Sequence, residues 1–427
     1  MSSSSGPPAP NYTQNVDFNT LAMQDAEFSK VLDSGKGHMN FHDPQAVKQL
    51  TKSLLKRDFS LEVELPDDRL CPPVPIRHAY IRWLQELVDT SSPTYTDEYD
   101  PNQIVTGIDI GTGASCIYPL LGCSIRPKWR FAATDIDQKS LKSAWGNVES
   151  NDFEDRIRLL KSNPDGPLIP LNRLGLREAD FAMCNPPFYS SKADMDVSAA
   201  AKHLPPSAVC TGAPGEMIYE KGGDAGFVLR MVEESLILRE RVQWYTSMLG
   251  KFSSVETVLK KLDDCGVTNF AVTTLVTGGK TKRWAIAWSF RDLRPANVIP
   301  RKELAGKVRL PFPSIVEIPK EGQSGASIAK IVNEKLRSLD LQWEWDELTG
   351  IGTGCARRNV WSRAARRSRA RAKASETDSM NIDETVALAF KIYPTTEHLA
   401  VRWLQGIDQG LFESFCGMVK RTIREAN

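Results

Sequence analysis

The chain has 427 residues, 41% of them hydrophobic, which is enough to bury an α/β core and leave room for a smaller second domain. No stretch approaches the roughly 20 apolar residues that a membrane span needs, and residues 1–16 lack the features of a signal peptide, so we expect a soluble, intracellular protein without a membrane partner. The net charge of +1 argues against a globally basic protein, and eight cysteines without a CxxC pair predict neither a metal site nor a disulfide framework.

The N-terminal region is predicted to be a tail followed by helices. Residues 1–36 are rich in Ser, Pro and Asn at the outset and are predicted to be mobile, with one short helix near 18–32. Apolar residues at helical spacing follow Asp43, which would cap a helix that has Pro44 at its first position. A second helix is predicted over 77–87. We interpret residues 37–98 as a helical extension that packs on the domain that follows.

Residues 99–295 are predicted to form an α/β domain, because strand-like and helix-like runs alternate as in a parallel, doubly wound sheet. The short loop TGGKTK joins the last two strands, which predicts a terminal antiparallel hairpin. The predicted helices include 140–150, 226–238 and 253–265. The predicted strands cover 104–110, 130–135, 179–184, 244–249, 269–276 and 283–290.

Residues 296–427 are predicted to form a small α+β domain. Strand-like runs lie at 314–318, 341–347 and 385–393, and helices are predicted at 327–336 and 409–424. A basic, flexible insertion near 357–383 divides this domain. Eight Lys or Arg residues lie between Arg357 and Lys373, with no acidic residue from Leu348 to Ser375, which is a pattern suited to nucleic acid.

The first motif that carries chemistry is the glycine turn after the strand at 104–110. Gly111 and Gly113 let the backbone approach a ligand closely, and a helix follows. Asp109 would repel a phosphate but could accept a hydrogen bond from an ammonium group. This favours the amino-acid end of S-adenosylmethionine over a dinucleotide, although an ordinary strand–turn–helix explains a glycine pair alone about equally well.

The second motif is the acidic end of the next predicted strand. Asp135 could accept both hydroxyl groups of an adenosine ribose, and Asp137 is the rival for this role. Either acid, taken alone, is more often a turn or capping residue.

The third motif, Asn185-Pro186-Pro187-Phe188, ends an apolar strand and indicates the class of reaction. The lone pair of an exocyclic ring amine is delocalised, so acceptors for its two N–H groups enrich the nitrogen as it attacks a methyl group. The Asn185 side-chain oxygen and the Pro186 carbonyl can be these acceptors. Consecutive prolines stiffen the turn, and the Phe188 ring offers a stacking face for a flipped base.

With these motifs, the sequence resembles the U6 small nuclear RNA adenine-N6 methyltransferases, which are related to bacterial 23S ribosomal RNA adenine-N6 methyltransferases. The resemblance covers residues 39–290, through NFHDPQAVKQLT, LCPPVPIRHAYIRWL, GIDIGTGASCIYPLLG, MCNPPFY, WYTSMLGK and GKTKRWAIAWSF. It implies a Rossmann-like class I methyltransferase with a seven-stranded, mostly parallel sheet. It also implies methyl transfer from S-adenosylmethionine, with S-adenosylhomocysteine as product, to the N6 amine of an adenosine in U6 RNA, with messenger RNA hairpins as further candidate substrates.

The resemblance also implies roles for individual residues. Adenine would meet Asn185, Pro186, Pro187 and Phe188, while the predicted cofactor residues are Arg77, Asp109, Gly111, Gly113, Ser115, Asp135 and Asn185. The predicted RNA contacts beside the site are Lys251, Lys280, Lys282 and Arg283. In the C-terminal domain, which lies beyond the resemblance, the basic run itself predicts RNA contacts at Arg357, Arg358, Arg363, Arg366 and Arg367.

The chain departs from the family pattern at three places. The family often has Glu where this chain has Asp135, which is one methylene shorter. No charged residue precedes Asp17, whereas relatives begin with a basic segment that helps to hold RNA. The 189–216 loop, which borders the adenine pocket in the family, carries only two lysines and one histidine, so it is expected to gate entry as a weak electrostatic contact.

Three alternatives remain open at this level. The chain could be a cofactor-occupied RNA-binding protein, or it could methylate glutamine in a translation factor, which uses the same Asn-Pro-Pro chemistry. The arginine-rich run fits an RNA contact and a nuclear-import signal nearly equally well. We expect a monomer located in the nucleus, with the cytoplasm as a second location.

Overall fold

The computed structural model describes residues 10–32, 38–200, 214–279, 282–301, 308–320, 324–363, 365, 367 and 385–425. They form two compact units. The first comprises Met1–Glu86, Tyr99–Arg291 and Arg301–Leu310, and the second comprises Leu87–Glu98, Asp292–Pro300 and Pro311–Asn427. Each unit is thus assembled from separate stretches of the chain. Within the described ranges, no helix combines the length and apolar character needed to cross a bilayer.

The first unit is built on a seven-stranded sheet with the order β3-β2-β1-β4-β5-β7-β6. Its strands are β1 Val105–Ile110, β2 Trp129–Asp135, β3 Ile157–Lys161, β4 Ala179–Cys184, β5 Val242–Leu249, β6 Asn269–Leu275 and β7 Arg283–Ser289. All neighbours pair in parallel except β7, which runs antiparallel to both β5 and β6. The predicted fold class and terminal hairpin are confirmed, and the six predicted strands begin and end within two residues of those observed.

Helices surround this sheet. The longer ones are α3 Pro44–Phe59, α4 Val74–Asp89, α5 Ile117–Ile125, α6 Gln138–Glu149, α8 Lys192–Ala200, α10 Gly223–Leu238 and α11 Phe252–Asp264. Short helices are α1 Phe18–Gln24, α2 Ala26–Ser29, α7 Leu171–Leu174 and α9 Pro214–Met217. The start of α3 is as predicted, since the Asp43 side chain accepts the N–H of Gln45 and Pro44 opens the helix.

Several elements of the first unit were not predicted from the sequence, among them β3 and the helices α7, α8 and α9, the last two of which begin in the segment 189–216 that was expected to be a loop. Strand β3 is a five-residue edge strand with a partly exposed, non-alternating burial pattern, so it carries no clear strand signal. A helix was expected after the glycine turn, but no bounds were predicted for α5. It contains Pro119 and Gly122 and is buried on nearly every side, so it shows neither high helix propensity nor an amphipathic stripe.

The N-terminal segment packs on the first unit over its described part. Tyr12, Leu21 and Phe28 are buried, and the Tyr12 hydroxyl donates to the Asp58 carboxylate of α3. The single short helix predicted near 18–32 is two helices, because Asp25 ends α1 and caps α2. Residues 10–32 are therefore held by buried side chains instead of forming a free tail, a correction to the predicted mobility of this part.

The second unit contains a five-stranded antiparallel sheet with the order β8-β12-β11-β10-β9. The strands are β8 Ile315–Pro319, β9 Gln342–Asp346, β10 Ile351–Ala356, β11 Leu388–Pro394 and β12 His398–Gln405, with helices α12 Gly325–Arg337 and α13 Gln409–Glu425. Both helices contribute to a shared apolar core with the sheet. The predicted α+β character is thus observed in this unit.

Strands β10 and β12 were missed by the sequence analysis. Gly352 and Gly354 give β10 a low strand propensity, yet side-chain rings occupy the space where their Cβ atoms would lie. A Cβ on Gly352 would be 2.8 Å from the Trp345 ring, and one on Gly354 would be 2.8 Å from the Phe390 ring. The glycines are required by aromatic packing that no local pattern reveals.

Candidate active site

The carboxyl ends of β1, β2 and β4 lie side by side, because these strands are neighbours in the parallel part of the sheet. A cavity of about 450 Å³ opens at this edge. The predicted residues that line it are Arg77, Gly111, Gly113, Ser115, Asp135, Asn185 and Pro187. A larger cavity, of about 630 Å³, lies beside α2 and α3, and none of the predicted site residues lines it.

The turn after β1 holds its shape through left-handed backbone conformations. Gly111 has φ +73° and Gly113 has φ +66°, which L side chains rarely adopt. The N–H groups of Gly111 and Thr112 both donate to the Thr134 carbonyl at 2.9 Å, which ties the turn to β2. A Cβ on Gly113 would meet only the Glu216 carboxylate, at 4.0 Å, so the backbone angle and not a lack of space requires glycine there.

The geometry separates the two acids that compete for the ribose. Asp135 ends β2, lines the cavity and accepts the N–H groups of Gly113 and Asp137, each at 2.9 Å. Burial raises the pKa of the Asp135 carboxyl. Asp137 also lines the cavity, but it caps α6 by accepting from Lys139 and Ser140 and pairs with Arg69 at 2.7 Å, and these contacts lower its pKa. Asp137 therefore has a structural role, and Asp135 is better placed to receive hydroxyl groups.

Asp109 lies below the glycine turn on β1 and does not line the cavity. Asp109 is fully buried, and neither of its carboxylate oxygens has a hydrogen-bond partner within ordinary geometry. Burial, together with the nearby charge of Asp135, outweighs the opposing effects of Thr112 and Arg77 and raises the pKa of Asp109 to about 7. A cationic partner near the turn would favour the charged carboxylate.

Arg77 extends from α4 to the same cavity. Its side chain is only 5% exposed, and one terminal nitrogen donates to the Tyr118 hydroxyl at 2.7 Å, while its Nε atom has no partner. Helix α4 starts at Val74, after the predicted proline cluster, so the expected placement of Arg77 near a helix start is observed. A buried, incompletely bonded guanidinium suits a carboxylate ligand.

The Asn-Pro-Pro-Phe turn follows β4 directly. The Asn185 side-chain oxygen is buried without a hydrogen-bond partner, and the next residue, Pro186, is buried as well. Asn185 and Pro187 line the cavity. Burying an acceptor without a partner costs about 1–3 kcal/mol, so this oxygen is arranged for a donor that a ligand brings.

Phe188 lies beside the turn after β5 and not in the lining of the cavity. A Cβ on Gly250 would be 3.0 Å from the Phe188 ring, and the Arg283 guanidinium lies over that ring at 4.9 Å from its centre. Lys251 is 5.9 Å from the Tyr189 ring and pairs with Asp194 of α8 at 3.0 Å. Two of the predicted RNA contacts, Lys251 and Arg283, are thus grouped around Phe188 and Tyr189.

The other predicted RNA contacts that the structure describes are exposed. Lys282 is exposed beside Arg283, and in the second unit Arg357, Arg358, Arg363 and Arg367 are exposed as well. Arg358 pairs with Asp340 at 3.2 Å. Lys280 and Arg366 lie outside the described residues. Trp361 is 3% exposed and packs edge-on against Phe415, so the start of the arginine-rich run is held by the fold, which the sequence did not indicate.

The buried polar atoms around the cavity fit S-adenosylmethionine. Arg77, Asp109 and Asn185 all have side-chain atoms without a partner, while Asp135 and the glycine turn face the same space. Residues 2–292 match the model of a family described as RNA methyltransferase.

The chain belongs to this family. Among relatives of this RNA methyltransferase, the U6 small nuclear RNA (adenine-(43)-N(6))-methyltransferase of Schizosaccharomyces pombe is 35% identical over 390 residues, which is 91% of this chain and 96% of the relative. The human RNA N(6)-adenosine-methyltransferase METTL16 is 39% identical over 286 residues. That match covers 65% of this chain and 49% of the human protein, so the chain spans about half the length of this relative.

Solved structures give the same assignment. The human Mettl16 catalytic domain in complex with MAT2A 3′UTR hairpin 6 is 37% identical, with a TM-score of 0.56, over 65% of this chain and 94% of that one. The N-terminal domain of human METTL16 in complex with SAH is 35% identical, with a TM-score of 0.53, over 65% of this chain and 95% of that one. Among the described residues of this methyltransferase, no group of three or more His, Cys, Asp or Glu could hold a metal ion.

Sequence reasoning missed several residues of the methyltransferase cavity. They come from the loop after β3, from the segment around α9 and from one face of α10: Ser162, Asn163, Pro164, Leu168, Glu216, Tyr219, Phe227 and Arg230. Helix α10 was predicted, and the spacing of Phe227 and Arg230 by three residues places them on one face. No sequence signal indicated that this face meets the loop after β3.

Proposed function

We propose that this methyltransferase transfers a methyl group from S-adenosylmethionine to the N6 amine of an adenosine in structured RNA. The observation that carries the proposal is the buried, unpartnered side-chain oxygen of Asn185, which lines the cavity. With the Pro186 carbonyl, it can accept the two N–H groups of an exocyclic amine. These acceptors make the nitrogen more electron-rich without a deprotonating base.

The cavity residues divide between the parts of the cofactor. S-adenosylmethionine, when bound, supplies an electrophilic methyl group. Arg77 has a guanidinium for the methionine carboxylate, Asp109 can balance the ammonium group from below the glycine turn, and Asp135 can accept from the ribose hydroxyls. Gly111 and Gly113 let the backbone approach the ligand closely, and Ser115 lines the cavity beside them.

The substrate class is inferred from the relatives together with the charge of the surface. The Schizosaccharomyces pombe relative, matched over nearly its whole length, is named for U6 small nuclear RNA, and the human catalytic domain was solved with a messenger RNA hairpin. Around Phe188 this chain presents Arg283 and Lys251, which suit a phosphate backbone beside a flipped base. U6 RNA is the principal proposed substrate, and messenger RNA hairpins are the second.

The second unit is proposed to raise affinity for the same RNA. Its exposed arginines Arg357, Arg358, Arg363 and Arg367 supply phosphate-binding groups. We further propose that the protein acts in the nucleus, since the arginine-rich run also suits nuclear import. We propose that it acts as a monomer. Light scattering of the purified chain and imaging of a fluorescent fusion test these two points.

Methyl transfer from tritiated S-adenosylmethionine to total cellular RNA tests the activity. The labelled RNA is isolated and hydrolysed to nucleosides. N6-methyladenosine in U6 RNA is the expected product, and the Asn185→Ala variant should form it far more slowly. Label in protein glutamine, or in a nucleoside other than N6-methyladenosine, would contradict the proposal.

A further inference from the structure

Helix α10 contacts two separate parts of the site through residues that the proposed reaction does not use. Asp224 in its first turn is 2% exposed. Arg230 and Glu234 lie further along the helix, and neither was a predicted site residue. Their hydrogen bonds reach backbone groups of other elements, so they can fix the shape of those elements.

The loop after β3 forms one wall of the cofactor cavity through Ser162, Asn163, Pro164, Pro167 and Leu168. Its sequence, SNPDGPLIP, contains three prolines, which lack an N–H group and leave the loop with few internal hydrogen bonds. The wall therefore needs partners from elsewhere to hold a single conformation.

Arg230 and Glu234 supply these partners. The Arg230 guanidinium donates to the carbonyl of Pro164 at 3.0 Å and to the carbonyl of Gly166. The Glu234 carboxylate accepts the N–H groups of Leu168 at 2.7 Å and Ile169 at 2.8 Å. Four backbone groups of the wall are thus bonded to two charged side chains of one helix, and charge-assisted bonds of this kind are stronger than neutral ones.

Asp224 holds a different structure, the turn after β5. One carboxylate oxygen accepts the N–H of Gly250 at 2.7 Å, and the other accepts the Ser254 hydroxyl at 2.7 Å. Gly250 lies flat against the Phe188 ring, since a Cβ there would be 3.0 Å from Cδ1 and 3.1 Å from Cγ of that ring. The position of this turn therefore limits where the Phe188 ring can lie.

We propose that α10 positions both halves of the active site. Arg230 and Glu234 fix the loop after β3, which forms the wall of the cofactor cavity, and Asp224 fixes the turn at Gly250, against which the Phe188 ring packs. Glu234 and Asp224 are positioning residues, because they act through the loop and the turn. Arg230 holds the loop and also lines the cavity, so Glu234→Gln is the variant that isolates the effect of the wall. The inference rests on the proposed function for the role of Phe188 toward adenine. The wall half concerns cofactor binding alone and does not depend on the RNA substrate.

The two halves predict different kinetic effects in the full chain: the wall variants should change cofactor binding, and the variants beside Phe188 should change kcat. Arg230→Gln and Glu234→Gln should each raise the dissociation constant and KM for the cofactor about tenfold, with kcat at saturating cofactor within about twofold, because a misplaced wall weakens binding in ground and transition states alike. Arg230→Lys keeps the charge but loses the planar fork that reaches both carbonyls, so its effect should lie between wild type and Arg230→Gln.

Asp224→Asn should lower kcat about tenfold and leave the cofactor dissociation constant within about twofold, since a small displacement of a reacting group slows the chemical step. Because Asp224 is buried, Gly250→Ala provides a second variant that displaces the Phe188 ring directly and should give the same signature. Thermal unfolding confirms that each variant is folded.

Glu233→Gln is the matched control. Glu233 lies on the same helix but pairs with Lys261 instead of the wall, so cofactor binding and kcat should both remain within about twofold of wild type. If the wall variants and the Asp224 or Gly250 variants alter the same parameter, or if the control behaves as they do, the proposal is overturned.

Failure of the inference can be distinguished from failure of the proposed function. A wild-type chain that binds S-adenosylhomocysteine by calorimetry but methylates no RNA would count against the proposed function. A chain whose calorimetric affinity is unchanged by Arg230→Gln and Glu234→Gln would count against the inference, whatever its activity.

Discussion

The charged groups Asp109 and Arg77 at the cofactor cavity are buried and are carried by a strand and a helix, whereas the basic residues proposed to hold RNA are mostly exposed. Asp109 is fully buried on a central strand, and Arg77 is 5% exposed. By contrast, Lys282, Arg357 and Arg363 are exposed. Buried groups hold fixed positions and can therefore bind a small ligand in one orientation. Exposed basic residues can bind a polyanion such as RNA, because many weak charge contacts add together. Changes in the buried groups should therefore have large, localised effects, and changes in the exposed residues should have graded, salt-dependent ones.

Asn185→Ala is expected to have the largest effect. It removes an acceptor that acts mainly in the transition state, so kcat should fall about a hundredfold or more, while cofactor and RNA binding change only a few-fold. Single-turnover methyl transfer on a U6 hairpin measures the chemical step directly. Activity within threefold of wild type would rule out this role for Asn185.

Neutralising the exposed arginines of the second unit should weaken RNA binding about ten- to hundredfold at near-physiological salt, because several phosphate contacts are lost together. The variant changes Arg357, Arg358, Arg363 and Arg367 to Gln, and cofactor affinity should not change. A matched variant changes the exposed Lys142, Lys330, Arg337 and Lys420 to Gln and removes the same total charge. Equal losses in both variants, measured by fluorescence anisotropy with purified protein, would show that only net charge matters.

Cofactor binding should strengthen with pH if Asp109 balances the ammonium group. The pKa of Asp109 is raised to about 7, so its carboxyl is mostly protonated at pH 6 and mostly ionised at pH 8 in the empty site. Affinity for S-adenosylhomocysteine should therefore rise about tenfold from pH 6 to pH 8, because only the ionised form attracts a cation. Calorimetry on wild type and on Asp109→Asn separates this effect from other titrations. A wild-type profile as flat as that of the variant would remove Asp109 from the cofactor site.

The hairpin between β6 and β7 is expected to have the smallest effect. Changing Lys280, Lys282 and Arg283 together to Ala should weaken RNA binding a few-fold and flatten the plot of log affinity against log salt by up to about 2–3 units. Arg283 also lies over the Phe188 ring, so kcat is measured alongside the salt dependence. An unchanged slope would mean that this hairpin does not contact phosphate.

The sequence alone determined the elements whose signals are local. The strands of the parallel sheet with long apolar runs, the glycine turn at Gly111 and Gly113, and the Asn185 turn after a buried strand were predicted, because each depends on residues close together in the chain. The Asn-Pro-Pro-Phe motif indicated the class of reaction, and the resemblance over residues 39–290 added RNA as the substrate; the family match then established an RNA methyltransferase.

The tertiary structure decided what depends on contacts between distant residues. The sequence left both Asp135 and Asp137 open as the ribose acceptor. The structure separates them, because Asp137 pairs with Arg69 and caps α6. Strand β10 could not be predicted, because the aromatic rings that require its glycines come from other strands. The cavity wall after β3 was missed for the same reason: its partners, Arg230 and Glu234, lie more than sixty residues away along the chain. Local sequence carries backbone preference and burial pattern, whereas such pairings exist only once the chain has folded.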